Sequence, residues 1–453
     1  MTIPRAIAAP LRHVMEPYER QETRYGLART LWASYGRARA ARVRLSGDWR
    51  SGRRTPAPPA LHNPLDPERY RRHLATSLLP FWSEHSIDTE FGGFLHCLDR
   101  QGRVFDTAKV AAMQGRMIYG FTRGYEVLGD GDYLDIASRG ARFLADHMWD
   151  REAGGWFHKV TRNGKPILSQ KRLFDHAYVL FGLSTYARAS GDLAVLERAV
   201  EAYEQLERHA WDQTHGGYYE RCDRDWSVSS SDKTIIVHLD MLEGIRELAE
   251  ITHQREHTAR VEELTGLVMS RMRDERTGCF LEHFYRDWRY HPVRTRDVIR
   301  VGQNLKAIQL LRLARGSDDR QESAKAAAGR EIMDFCLEHA WDHRHGGLFQ
   351  FVTRNGSISS AEKLWWTMCD GILALLTLCA GEEDARYRQC AAELEAFAFT
   401  RFVDPEFGEW YTSCRRDGSP LDTRKGGIGK AAYHTVQLCV DALALLSVSE
   451  GRT

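Results

Sequence analysis

From His238 to Glu243 the chain reads HLDMLE, which places one imidazole and two carboxylates within six residues. Asp240 and Glu243 are three apart and share a helix face, whereas His238 is two from Asp240 and need not face it. Such groups can take and give protons. At the front of an otherwise apolar helix, burying them costs desolvation energy, so their surroundings decide what they do. Comparable polar groups open five other apolar runs. They are Lys109, Gln114 and Arg116 in DTAKVAAMQGRMIY, and Lys171, Asp175 and His176 in QKRLFDHAYVLF. Arg300, Gln303, Asn304 and Lys306 follow in VIRVGQNLKAIQLL. Lys363, Trp365, Trp366 and Asp370 stand in EKLWWTMCDGIL, and Lys425, Lys430 and His434 in RKGGIGKAAYHTVQL.

A repeat positions these groups. Asp88, Asp150, Asp212, Asp274, Asp342 and Asp404 each begin a segment in which a Gly follows four residues later, as in DREAGGW. The intervals are 62 residues, except for one of 68 between Asp274 and Asp342. Gly pairs supply the positive φ of a tight turn. The alternating residues after them, as in GGWFHKVTRNGKPI, predict a short β-hairpin. An amphipathic helix precedes each hairpin, and a helix apolar all round, hence buried, follows it.

Six such units predict an all-α fold, a closed (α/α)6 barrel (toroid) with short β-hairpins on one face. Closure is favoured over an open solenoid because the last helix, Ala431 to Val448, lacks the polar face of a capping unit. In a closed ring the inner-helix starts converge on one central funnel. Register agrees: Arg116, Asp240 and Asp370 stand 28 residues after their unit's Asp, and Gln114, His176 and His238 stand 26 after theirs.

The barrel is expected over residues 66–453, behind an Arg-rich arm over residues 1–65. Residues 1–60 hold twelve Arg against Glu16, Glu19, Glu22 and Asp48. That arm reads as a surface arm, with a partner-binding arm or a lid as the alternative. The whole chain carries a formal net charge of +1, so bulk attraction to nucleic acid is not expected. Nine Cys without a CxxC pair argue against a disulfide framework or zinc ribbon. No stretch reads as a signal peptide or membrane span, so a cytoplasmic location is expected. His253 and His257 are four apart, a spacing that can hold a metal, but they fall in a polar run read as a solvated helix end; no metal is expected.

The motifs MQGRMIYGF, KRLFDHAYVLFGLS, VHLDMLEGI, EKLWWTMCDGILAL and KGGIGKAAYHTVQL, in this order, resemble the N-acylglucosamine 2-epimerase superfamily over residues 66–449. That superfamily includes cellobiose 2-epimerases and mannose isomerases. The resemblance implies an isomerase that moves a proton next to the carbonyl of a sugar, without a redox cofactor. It also implies a small carbohydrate-like substrate and a monomer or homodimer. The family uses two His as acid and base. One matches His434 in the Tyr433-His434 segment. The other belongs to a His-x-x-Glu pattern, which here reads Asp240 to Glu243, with Asp in place of His. Where the family shows Gly-His-x-x-Glu on the fourth inner helix, this chain has Gly302, Gln303 and Lys306.

The resemblance therefore implies His434, Asp240 and Glu243 as the catalytic set, with Arg116 on the carbonyl oxygen. Substrate-binding roles fall to His176, His238, Gln303, Asn304, Lys306, Trp365, Trp366 and Asp370, with Lys306 able to neutralise an anionic substituent. An exposed Asp near 3.9 is a weak base at pH 7 and becomes competent when burial raises it. Two other readings stay open. One is a glycoside hydrolase using Asp240 and Asp370 about 5–9.5 Å apart. The other is a repurposed or non-catalytic relative that binds or rearranges a non-sugar metabolite.

Overall fold

The computed structural model describes residues 63–450, apart from 296, 315–318 and 382–383. The expected arm over residues 1–65 therefore lies outside the described residues, but for its last three.

Helices dominate. The inner helices are Ala111–Leu128, Leu173–Ser190, Ile235–Thr252, Val301–Leu313, Trp365–Gly381 and Tyr433–Glu450. The outer helices are Pro67–His73 continued by Leu79–His85, then Gly131–Phe143, Leu193–His209, Arg255–Leu267, Asp319–His339 and Ala385–Arg401. Asp66, Asp130, Asp192 and Asp384 cap outer helices by accepting from first-turn amides. Inner helices are buried all round because each is flanked by two others and backed by an outer helix; Ala111 to Thr122 contains no exposed residue. Each inner helix packs on the next in sequence, and the sixth packs on the first. The first two approach closely at Gly115 and Gly182, where an added Cβ would lie 2.3 Å from a backbone oxygen of the other helix.

Five of the expected hairpins form as paired strands and the fourth unit's closes through a single bridge, Phe284 to Tyr290; four of the six sheets among the described residues gain a third strand. Residues leading into one inner helix pair with the hairpin of the following unit: Lys109–Val110 joins Lys159–Val160, and Lys171–Arg172 joins Arg221–Cys222. Each hairpin thus stitches two units together.

Charge reinforces the stitching. Arg162 Nε donates to Asp88 at 3.0 Å, Arg224 Nε to Asp150 at 2.8 Å and Arg286 Nε to Asp212 at 3.0 Å. Arg354 Nε donates to Asp274 at 3.1 Å and Arg416 Nε to Asp342 at 3.2 Å. The sixth pair runs between chain ends: Arg100 of the first hairpin donates to Asp404 at 2.8 Å. A buried Lys sits at 2.9–3.1 Å from five of these carboxylates, through Lys109, Lys171, Lys233, Lys363 and Lys425. Lys109, Lys171, Lys363 and Lys425 were expected among the funnel groups. They are structural partners of the repeat Asp, because a buried carboxylate needs a matching charge.

All nine cysteines are free. Among the described residues no helix is long and apolar enough to cross a membrane. The expected solvated helix end is exposed at His253, Gln254, Arg255 and Glu256, and His257 alone packs inward, against Tyr203 with Nδ1 bonded to Thr252.

Candidate active site

Two successive registers on the inner helices have different jobs. In the first three units the register 26 residues after the repeat Asp ties the helix to its own Gly-Gly turn. Gln114 Oε1 accepts from Phe94 N at 2.8 Å. His176 Nε2 accepts from Trp156 N at 3.0 Å, and His238 Nε2 from Tyr218 N at 3.1 Å. Their Nδ1 atoms lie 2.9 and 2.8 Å from the carbonyl oxygens of Arg172 and Thr234. In the longer fourth unit Asn304 does the same, accepting from Phe280 N at 2.7 Å. In the third unit only glycine fits at the second turn position: at Gly217, φ is +78° and a Cβ would lie 2.6 Å from His238 Nε2. Burial lowers His176 to about 4 and His238 to about 3, so both stay neutral, as an accepting Nε2 demands. His176, His238 and Asn304 were expected to bind substrate. Their polar atoms are instead spent on backbone groups, so they serve as structural tethers.

The register two residues further forms a polar floor. Arg116, Asp240 and Asp370 were expected there; Tyr178 stands at the same offset and the sequence reading passed over it. Lys306 completes the set from the fourth helix. Its Nζ donates to Asp240 Oδ1 at 2.7 Å and lies 2.7 Å from Glu243 Oε2 and 3.2 Å from Tyr178 OH. Tyr178 OH donates to Asp240 Oδ1 at 3.1 Å. Tyr433 OH donates to Glu243 at 2.7 and 2.8 Å, and Gln437 Nε2 donates to it at 3.1 Å. The shared face of Asp240 and Glu243 is thus clamped by one ammonium. Lys306 was expected to meet an anionic substituent, but its charge is already met by two carboxylates.

Arg116 stacks on the Tyr178 ring, with its guanidinium carbon 3.9 Å from the centroid, and donates to Gly429 O at 2.9 Å. His434 Nδ1 lies 3.5 Å from Asp370 Oδ1. Its ring centroid is 4.5 Å from Tyr433, 5.7 Å from Trp366 and 6.1 Å from Trp365. Trp366 also covers Gly302, where a Cβ would lie 2.2 Å from the indole, so it fills the seam between the fourth and fifth inner helices. Above the floor, His158 Nδ1 and Asp175 Oδ2 are 2.5 Å apart.

Several buried polar atoms here have no hydrogen-bond partner among the described residues: Asp240 Oδ2, Asp370 Oδ2, His434 Nδ1, Arg116 Nε, Gln303 Oε1 and Trp365 Nε1. Buried polar atoms are normally satisfied, so a cluster of orphans marks a place for a polar guest. Burial, with Arg116 and Lys306 adding to it, pushes His434 well below the ordinary imidazole value. Burial raises Asp370 to about 8 and also raises Asp240, against the pull of Lys306 and Arg116. Burial would raise Glu243 too, but Lys306, Tyr433 and Gln437 outweigh it and hold the carboxylate charged. The site therefore offers a neutral imidazole, a protonated carboxyl and a buried guanidinium, a set suited to moving a proton beside a carbonyl.

The family model of N-acylglucosamine 2-epimerase (GlcNAc 2-epimerase) matches residues 93–438. The chain belongs to this family. The cellobiose 2-epimerase of Bacteroides fragilis is 26% identical over 389 residues, covering 83% of this chain and 98% of that protein. The N-acylglucosamine 2-epimerase of Bos taurus is 28% identical over 388 residues, covering 81% and 88%. The crystal structure of a D-mannose isomerase superposes with a TM-score of 0.78 at 20% identity, covering 84% of this chain and 98% of its own, a likeness of fold. As a member of the N-acylglucosamine 2-epimerase family, the protein is an enzyme of the sugar isomerase and epimerase class.

Proposed function

We propose that this protein is a sugar isomerase or epimerase that moves a proton between carbons beside the carbonyl of an open-chain, uncharged sugar. The fold is read as a closed (α/α)6 barrel whose inner-helix starts share one central well. The observation that carries the proposal is the group of orphaned atoms around His434, Arg116, Asp240 and Asp370 at the floor of the described helices.

In this reading His434 is the base. Held neutral by burial and by nearby cations, it has a free lone pair at pH 7 and takes the proton from the carbon next to the carbonyl. Among the described residues no carboxylate is bonded to Arg116, which faces the negative charge that develops on the carbonyl oxygen. Asp240 and Glu243, gripped by Lys306, hold substrate hydroxyls through the remaining Asp240 oxygen. Gln303 and Trp365 contribute further polar contacts from their orphaned atoms. Because Lys306 is already neutralised, a neutral polyol suits the floor better than a sugar acid or phosphate. No step requires a change of oxidation state in a cofactor.

Incubation with neutral aldoses and ketoses in deuterium oxide tests this. Deuterium is expected to enter the substrate carbon beside the carbonyl, and His434→Ala is expected to abolish its entry. Turnover without label in any substrate would count against proton transfer through the protein.

A further inference from the structure

A floor with one imidazole leaves the second proton-transferring group unassigned. The candidate must be buried beside His434, free of structural duties and able to carry a proton at neutral pH. Asp240 meets the second condition only in part, since its Oδ1 already accepts from both Lys306 and Tyr178. Glu243 is bonded on both oxygens by Tyr433 and again by Gln437. His176 and His238 are spent on the turns.

Asp370 is different. Its residue is 1% exposed, yet among the described residues its carboxyl makes no hydrogen bond. The contact of Oδ1 with His434 Nδ1, at 3.5 Å, is too long and poorly aligned to count as one, and His434 Nδ1 is itself an orphan. Two adjacent buried groups, each lacking a partner and neither satisfying the other, leave hydrogen-bonding capacity with which a reacting hydroxyl or carbonyl would engage both. We propose that Asp370 is the second proton-transferring group of this enzyme, the acid that works with His434. This rests on the proton-transfer reading of the same site.

The steps balance. The His434 lone pair takes the proton from the carbon beside the carbonyl, and the C–H pair becomes a C=C bond. The carbonyl π pair moves to oxygen, and that oxygen takes the carboxyl proton of Asp370. A neutral enediol, an imidazolium and a carboxylate result. In the second half the carboxylate takes the proton of the neighbouring hydroxyl while the imidazolium returns its proton to carbon. Both groups end as they began, and no oxidant or reductant is used.

The groups that face Asp370 are His434 and Tyr433 from the sixth helix, Lys306 from the fourth, Glu243 from the third and Arg116 from the first. Burial, the largest influence, raises the carboxyl to about 8 despite the two cations, so it is protonated at neutral pH. An acid in that state loses activity as the pH climbs through about 8.

The test is the near-isosteric Asp370→Asn, which keeps shape and polarity but cannot pass a proton. Its kcat/KM is expected to fall roughly 100-fold or more. The alkaline decline of kcat/KM predicted for the wild type is expected to disappear with it, while Asp240→Asn keeps that decline. Asp370→Asn with wild-type kcat/KM, or with the alkaline decline intact, would overturn the proposal. If that variant does not fold, carbon NMR of wild-type protein labelled in aspartate carboxyls decides: one carboxyl titrating near pH 8 supports the proposal, and none titrating above about 6 overturns it. Wild-type protein that exchanges no proton with any sugar sinks the underlying reading as well, whereas normal exchange with an indifferent Asp370 sinks this proposal alone.

Discussion

At the scale of residues, the site joins two departures from the family pattern into one unit. Asp240 stands where a His is expected, and Lys306 where a Glu is expected. The structure places them 2.7 Å apart on neighbouring helices. The first change adds a negative charge and the second replaces a negative charge by a positive one, so the two new charges meet as a pair in a buried site. Removing one partner then leaves the other uncompensated. Lys306→Met is predicted to lower unfolding stability by about 3–5 kcal/mol, measured by urea denaturation. Combining Lys306→Met with Asp240→Asn and Glu243→Gln should recover much of that loss, and failure to recover any would mean that the lysine acts mainly through packing. The i, i+3 spacing made the common face of Asp240 and Glu243 legible in the sequence. The bridge to Lys306 was not legible, because it spans 66 residues and depends on which helices are neighbours. The same limit explains His176 and His238. Their register was read correctly, but whether that register faced the well or the turn required a backbone N–H to be placed in space.

At the scale of elements, the repeat specified helix, hairpin and helix because Gly-Gly turns and hydrophobic periodicity are local signals. It did not reveal the third strand, which pairs residues of different units. Nor did it reveal that the repeat Asp is a charge hub as well as a turn residue. That second role has a pH signature. Burial alone would raise Asp88, but Arg162 and Lys109 outweigh it and hold it at about 2. Its unfolded value is about 3.9. A carboxylate lowered on folding gives stability that is present above its unfolded value and is lost as pH falls through its folded one. Acid unfolding is therefore expected to develop between about pH 4 and pH 2, with Asp88→Asn less stable at neutral pH and flatter across that window. A midpoint in urea unchanged between pH 7 and pH 2.5 would contradict a structural role for these pairs.

At the scale of the molecule, the proposed closure is what would turn six scattered polar helix starts into one site. The Arg100–Asp404 pair is equivalent to the five between consecutive units, although it joins the first hairpin to the last unit. If the ring closes as read, Arg100→Ala should cost as much as Arg224→Ala, within about 1 kcal/mol. A silent Arg100→Ala beside a destabilising Arg224→Ala would indicate an open end. The central claim is that the orphaned atoms on the floor are the contacts of an open-chain sugar. A crystal structure with a sugar alcohol, which mimics the open chain but cannot react, tests it most directly. The polyol is predicted to lie between His434 and Asp370, with hydroxyls on Arg116, Asp240 Oδ2 and Gln303. Electron density for the polyol elsewhere, with those atoms still unpartnered, would contradict the account.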